Sequence, residues 1–536
     1  MRLPPASPIF VALLVALYLT VALNVAFFSG VVVAFSDTLA GPFIVSTALV
    51  VWAVHALLLL PFSGRLLIRP VAAVLILITA PAAYFAFAYN VHFDATMLRN
   101  VAQTNPAEAF ELLSLRFIGF VIALGLLPAA LVLRIPLREG GIQRPLLGRL
   151  LIGVALLVLA IACIVGFSSR YATLFREHKA LRYQVLPAAL IHAGFRYAAE
   201  TLRRDAAMTP VATDARVAES DRDRELLILV VGETARGDHF SLSGYARQTN
   251  PLLAGEQVIS FRDVEACGTS TAVSVPCMFS IYDASDYSDA KGRETETLLD
   301  ALTHAGVHVL WRDNNSSSHS VAGRVPYEDF KDPARNPVCD EECRDEGMLA
   351  GLQQYIDGHP AGDIVIVLHQ MGNHGPAYYK RYPPRFERFT PVCRTVQLAE
   401  CSRDEIVNAY DNAILYTDYF LSQVIALLKQ NTGKFEAAML YLSDHGESLG
   451  ENGLWLHGMP KAIAPGEQTR AASIFWFGDS FEPADAAAVR QRQGQVISHH
   501  NLFHTVLGML EIETHDYDPR LDLRHPQAGA ALSRPD

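Results

Sequence analysis

Charge is low in this 536-residue chain: 18% of its residues are charged, and the balance is acidic. Against 44 Lys and Arg stand 55 Asp and Glu, a formal net charge of −11. No basic patch stands out that would neutralise a phosphate backbone, which sets nucleic acid aside as a partner. No internal repeat or low-complexity tract is visible, which sets aside a repeat array. Cysteine is scarce too, at seven residues. Cys339-Asp-Glu-Glu-Cys343 has the look of half a structural zinc site, but the two tightly spaced pairs of a four-cysteine site are missing. What the chain has in excess is apolar residues, 51%, concentrated in the first third. At this length at least two domains are expected, and the concentration indicates a membrane domain fused to a soluble one.

Five stretches approach or exceed the roughly 20 residues needed to cross a bilayer. They fall near Ile9–Phe28, Pro42–Leu60, Pro70–Tyr89, Phe117–Leu133 and Leu150–Phe167. The second connection carries Arg65 and Arg69, and the fourth Arg134, Arg138, Arg144 and Arg149. The first, around Ser36–Gly41, has Asp37 and no Lys or Arg. The positive-inside rule puts the second and fourth connections, with Arg2 at the N-terminus, in the cytoplasm. Five spans then leave everything after Phe167 on the far side. The apolar core of the first span exceeds the roughly 7–15 residues of a signal peptide, so an uncleaved anchor is expected. The third connection, residues 90–116, faces the same side as the soluble domain. Its turn Thr104-Asn105-Pro106 would either help seat a lipid or serve as a plain connector.

Cys163 falls inside the fifth span and reads as an apolar packing residue. The other six cysteines lie in the soluble part as neighbouring pairs, Cys267/Cys277, Cys339/Cys343 and Cys393/Cys401. Of the 15 possible connectivities, this clustering favours the three local bridges, and an even count suits an oxidising, periplasm-like compartment.

The expected domains are a transmembrane domain over 1–168, an amphipathic helical connector and linker over 169–222, and a soluble domain over 223–536. In the last, continuous apolar runs (Leu226–Val231, Val307–Leu310, Ile364–Leu368, Ala438–Leu442 and Ser473–Phe477) alternate with helical patterns such as Ile406–Gln430. Runs of this kind indicate an α/β fold with a mostly parallel sheet covered on both faces. Functional groups in such sheets gather past the carboxyl ends of the strands. That rule selects Glu233, Asp444 with His445, His369 leading to Asn373 and His374, and Asp313-Asn314-Asn315. Carboxylates with imidazole suit zinc, which accepts oxygen and nitrogen ligands. The hydroxyl-rich segment Cys267–Cys277 offers nucleophiles for the metal to activate, and Thr269, Ser270, Thr271 and Ser274 all compete.

Six segments in order resemble one family. They are Val231-Gly-Glu-Thr-Ala-Arg236, the block from Cys267 through Cys277-Met-Phe-Ser, Arg312-Asp-Asn-Asn-Ser316, His369-Gln-Met-Gly-Asn-His-Gly-Pro376, Tyr410–Asp418 and Ser443-Asp-His-Gly-Glu-Ser-Leu-Gly-Glu-Asn-Gly453. Together with the five spans and Thr104-Asn105-Pro-Ala-Glu-Ala109, they are similar to the lipid A phosphoethanolamine transferases, including the mobile colistin-resistance enzymes. The resemblance implies a five-helix transmembrane domain in the inner membrane and a periplasmic α/β/α domain like alkaline phosphatase and sulfatases. It implies Thr271 as nucleophile and one tightly bound Zn²⁺ held by Glu233, Thr271, Asp444 and His445. His374 and His457 would contact phosphoethanolamine or a second zinc. Asn315 would hold the headgroup, and His319, His369 and Asn105 join the expected substrate-binding set. Two positions depart from the family pattern: His319 stands where some members have Lys, and His500 replaces an expected Asp. The first would alter headgroup affinity or make it pH-sensitive, since His titrates near neutrality and Lys does not.

The implied reaction moves phosphoethanolamine from phosphatidylethanolamine to a phosphate of lipid A through a phosphoethanolamine-threonine. The product is less negative and would bind cationic peptides such as polymyxin more weakly. A monomer in the inner membrane is expected. The alternatives are transfer to a core sugar or another periplasmic glycan, glycerophosphate transfer as in lipoteichoic acid synthases, and a non-catalytic zinc- or lipid-binding sensor.

Overall fold

The computed structural model describes residues 5–35, 40–104, 109–110, 112–138, 143–176, 178–202, 208–220, 223–283 and 286–526. Asn105, the loop residues 36–39 and linker residues 203–207 and 221–222 lie outside them. The chain divides into two compact units: Met1–Val101 with Pro106–Ala199, and Glu200–Asp536 with Ala102–Asn105.

Among the described residues of the first unit, four helices are long and apolar enough to cross a bilayer: Ala40–Phe62, Ile68–Tyr89, Leu115–Arg134 and Leu146–Gly166. The first expected span, read as one helix, is a pair, Pro8–Ala22 and Val25–Ala34, bent by 56°. Counted as one span, the pair brings the number to five. Asn24 sits at the break. Its amide donates to the Leu19 and Leu186 carbonyls, and its oxygen accepts the Leu186 N–H. A buried amide among apolar helices must find such partners, and here it leaves the regular helix to reach them. Ala6 and Arg138 pair through their backbones, and Arg149 donates to the Ser63 carbonyl. The N-terminal residues thus meet the fourth connection, and the fourth connection's edge meets the second, as the shared side in the charge argument requires. Leu150, Val154, Leu157 and Val165 are exposed along the last span, an apolar face suited to lipid. The connector helices Ser168–Arg176 and Ala188–Leu202 follow, and Tyr171 and Leu174 are buried against Phe43 and Val51.

The second unit is built on an eight-stranded sheet. Its strands are β1 (Glu225–Gly232), β2 (Ile259–Glu265), β3 (His308–Asp313), β4 (Tyr327–Asp329), β5 (Ile364–His369), β6 (Glu436–Ser443), β7 (Arg470–Phe477) and β8 (Ile497–Ser498). They are ordered β8-β2-β7-β6-β1-β5-β3-β4. Alternate side chains of β1 feed two cores: Leu227, Leu229 and Val231 enter one, and Leu226, Ile228 and Val230 the other. This two-faced burial is why the strand reads as a continuous apolar run. The helix Arg403–Lys429, started by a Ser402/Glu405 capping box, packs into the second of these cores.

The sheet is mostly parallel, as the apolar runs indicate, but β7 runs antiparallel to both β6 and β2. Strand β2 was not recognisable as an apolar run, because Arg262, Asp263 and Glu265 interrupt it. Register matters most for the site. Val231 pairs with His369 and Leu442, and His369 pairs with Asp313. The carboxyl ends of β1, β3, β5 and β6 therefore stop at one level. Three disulfides close locally, Cys267–Cys277, Cys339–Cys343 and Cys393–Cys401, and Cys163 is free.

Candidate functional site

Glu233 leaves β1 into a tightly packed turn. Thr234 takes φ 51°, and its N–H donates to Asp444 Oδ1. Gly372 (φ +52°) passes so close that a Cβ there would lie 3.0 Å from the Glu233 carbonyl and 3.1 Å from its Cβ. Only glycine tolerates both the conformation and the approach.

Asp444 and His445 leave β6 beside it. His445 Nδ1 is 2.8 Å from the Gly446 carbonyl, so it carries the proton and leaves Nε2 with a free lone pair. Nε2 lies 3.2 Å from Asp444 Oδ2 and 3.5 Å from Glu233 Oε1. One ligand atom from each of Glu233, Asp444 and His445 falls within a 4.8 Å cluster, and all three residues are fully buried. Asp444 Oδ2 and His445 Nε2 have no hydrogen-bond partner among the described residues. Buried polar atoms normally have one. Two carboxylates and a neutral imidazole converging this way fit a divalent cation. Burial pushes His445 below its ordinary pKa, with His457 adding to the effect, and so keeps it in the ligating form.

Thr271 opens the helix Thr271–Met278, and its Oγ1 donates to Glu233 Oε2 at 3.0 Å. The other three hydroxyls are placed differently. Thr269 donates to the Met459 carbonyl, Ser274 accepts the Gly268 N–H, and Ser270 Oγ is buried without a hydrogen-bond partner among the described residues. The Cys267–Cys277 bridge spans this helix from just before its start to near its end. First-turn amides are not consumed by a helix's own ladder and favour an anion.

The expected substrate-binding residues divide. Asn315 has its amide on Glu233 Oε2 (2.8 Å) and on the Gln370 carbonyl (2.7 Å). His369 is fully buried; its Nδ1 is 3.0 Å from Asp313 Oδ2, which also accepts Trp311 Nε1–H. Burial would raise the Asp313 carboxyl, but His369 and Lys331 hold it near 2. His374 and His457 do face each other, with ring centroids 5.5 Å apart, and His457 lies 4.5 Å from His445. His457 Nδ1 contacts Glu447 Oε2 at 2.8 Å, and Tyr378 O–H donates to the other oxygen at 2.7 Å. His445, Glu447 and His457 make a second group with metal-ligand spacing. His319 (φ 47°) contacts Ser316 Oγ at 3.2 Å through Nε2. His500 is buried with Nε2 3.7 Å from Cys267 Sγ and Nδ1 2.9 Å from the Tyr282 carbonyl.

Three contributors escaped sequence reasoning. His499 bridges the Cys267 N–H and the Ser443 carbonyl, tying the disulfide to the end of β6. Asp345 accepts the Met371 and Gly372 amides and so shapes the turn against Glu233. Tyr410 O–H donates to the Thr234 carbonyl while accepting the Arg236 N–H. Tyr410 opened a recognised segment, but its partner was not legible from spacing; the other two carried no signal.

The sulfatase family profile matches residues 225–512, and that of "Phosphoethanolamine transferase EptA/EptB" matches residues 51–202. The fold is thus an apolar helical domain joined to a sulfatase-like α/β domain. Phosphatidylethanolamine transferase Mcr-2 of Escherichia coli is 41% identical over 90% of this chain and 92% of its own length. Phosphoethanolamine transferase EptA of Escherichia coli K12 is 37% identical over 95% of each. Among solved structures, the integral membrane lipooligosaccharide phosphoethanolamine transferase A of Neisseria meningitidis superposes with a TM-score of 0.93 at 33% identity, over 98% of this chain and 99% of its own. The chain belongs to the phosphoethanolamine transferase family.

Proposed function

We propose that this protein transfers phosphoethanolamine from phosphatidylethanolamine to a phosphate of lipid A, with its second unit on the periplasmic side of the inner membrane. The observation that carries the reading is the Thr271 hydroxyl donating to Glu233 Oε2, beside buried Asp444 and His445. Glu233, Thr271, Asp444 and His445 would hold a Zn²⁺ ion, which when bound would supply Lewis acidity to lower the hydroxyl pKa and offset phosphoryl charge.

In the first step Thr271 Oγ1 bonds to phosphorus as the phosphorus–glycerol oxygen bond breaks. Glu233 orients the hydroxyl through their hydrogen bond, and the proton goes to the departing diacylglycerol. In the second step a lipid A phosphate oxygen attacks phosphorus in line, the bond from phosphorus to the Thr271 oxygen breaks, and that oxygen takes up the proton lost by the acceptor phosphate. His374 and His457 line the rim, where imidazole N–H groups stabilise charge on the transferring oxygens. Asn315 acts by holding Glu233. The added ammonium lowers the net negative charge of lipid A, and polymyxin resistance follows from that.

Mass spectrometry decides it. Lipid A from cells expressing the chain gains one phosphoethanolamine, and purified protein exposed to the donor lipid carries the same group on Thr271. Full transfer by Thr271→Ala, or no adduct under turnover conditions, overturns the mechanism. An unmodified lipid A with a modified core sugar or other glycan overturns the acceptor.

A further inference from the structure

A second charged cavity lies in the same unit, bordered by Arg236, Asp238, Arg262, Asp263, Glu467 and Arg470, with a volume of about 310 Å³. None of these residues belongs to the Glu233–Thr271–Asp444–His445 group. The volume is at the small end of ligand sites, which run to about 300–1,000 Å³.

Most of its charges are already spent. The Arg236 fork grips Asp238 at 2.9 and 2.7 Å, and its remaining nitrogen reaches Glu451 at 2.7 Å and the Glu447 carbonyl at 3.1 Å. Arg470 pairs with Asp263. Among the described residues, the side chains of Arg262 and Glu467 make neither a hydrogen bond nor an ion pair. The uncommitted lining therefore consists of one guanidinium and one carboxylate.

Two close backbone approaches hold these two walls. A Cβ on Gly237 would lie 2.4 Å from the Arg262 carbonyl, and one on Gly446 would lie 2.1 Å from the Glu467 carbonyl. Backbone packed this tightly fixes where the Arg262 and Glu467 side chains leave the chain, one on each wall. A simple anion would meet only one of the two charges and be repelled by the other. A small zwitterion satisfies both, with phosphate on Arg262 and ammonium on Glu467.

We infer that this cavity binds a phosphate–ammonium zwitterion, the phosphoethanolamine headgroup, at a site separate from the strand-end centre. The choice of this zwitterion rests on the proposed function; the separate site does not. Its source is either the donor lipid or a water-soluble headgroup.

The test is isothermal titration of the full-length protein in detergent with phosphorylethanolamine. Two binding events are expected. Arg262→Ala and Glu467→Gln each weaken one of them about tenfold and leave the other unchanged. Arg262→Lys retains part of the affinity, and unchanged thermal midpoints show that the variants fold. Inorganic phosphate or ethanolamine alone binds the cavity at least about tenfold more weakly. In nanodiscs containing phosphatidylethanolamine, loss of the cavity event assigns it to the lipid headgroup, and its persistence assigns it to the soluble one. An isotherm indifferent to both substitutions, or phosphate bound as tightly as the zwitterion, overturns the site. Failure to form a Thr271 adduct overturns the transfer mechanism and leaves the cavity event in place.

Discussion

The Asn315 side-chain amide lies 2.8 Å from Glu233 Oε2, the same oxygen that accepts the Thr271 hydroxyl. Asn315, expected at the headgroup, thus holds the carboxylate that accepts the Thr271 hydroxyl. Asn315→Asp replaces a donor with a second negative charge. Transfer and zinc affinity should both fall about 10–100-fold, the usual cost of losing such a support. Metal titration of the purified variant checks this apart from turnover; unchanged metal affinity would return Asn315 to the substrate.

The four hydroxyls of the 267–277 segment are expected to separate sharply. Thr271→Ala should leave no measurable transfer, because the oxygen proposed to bond phosphorus is gone. Thr269→Ala removes only a bond to the Met459 carbonyl. It should retain activity within about tenfold, with a stability loss of about 1 kcal/mol. Lipid A mass spectrometry and thermal unfolding read the two effects separately.

Opening the Cys267–Cys277 bridge frees a closed loop of ten-residue separation. A Cys267→Ser/Cys277→Ser variant should lose about 2–3 kcal/mol in denaturant unfolding. Its transfer rate should fall further than stability alone predicts, since the helix carrying Thr271 loses its tie. Cys393→Ser/Cys401→Ser removes a bridge remote from these residues in sequence. It should lower stability while sparing the rate at permissive temperature.

Chelation should abolish transfer, and stoichiometric Zn²⁺ should restore it. Zinc binding should also raise the unfolding midpoint, because an ion that binds only the folded state stabilises it by mass action. His445→Ala should erase that shift. A midpoint indifferent to zinc in the wild type would argue against a resident ion.

Asp418, on the helix Arg403–Lys429, supplies a pH signature. Burial raises its pKa to about 7, although the Leu252 and Leu253 amides, which it accepts, pull the other way. With the folded value above the unfolded one, the folded state holds a proton between about pH 4 and 7 that the unfolded chain has released. The stability contributed is present in full below pH 4. It is lost as pH rises towards 7, with a slope of up to about 1.4 kcal/mol per pH unit. Asp418→Asn should flatten this slope in unfolding measured across that window.

The apolar runs at Leu226, Ile364 and Ala438 were legible because strands buried on both faces need little beyond β-branched and aliphatic residues. The same logic located Glu233, Asp444 and His445, since the end of a buried run is where polar side chains can begin. Strand β2 escaped because Arg262 and Asp263 sit at a register irregularity between β2 and β7, where alternation fails. The bend at Asn24 escaped because two of its three hydrogen bonds are to Leu186, 162 residues away.

Sequence alone determined which chemical groups exist, which segments are apolar enough for lipid, and which cysteines are near enough in the chain to pair. Those properties are local, set by composition and by spacings of a few residues. The tertiary structure decided which hydroxyl meets Glu233, that Asn315 supports a carboxylate, and that Arg262 faces a cavity with Glu467. Each joins segments tens to hundreds of residues apart through strand register and backbone packing, and no local pattern encodes a distance of that kind.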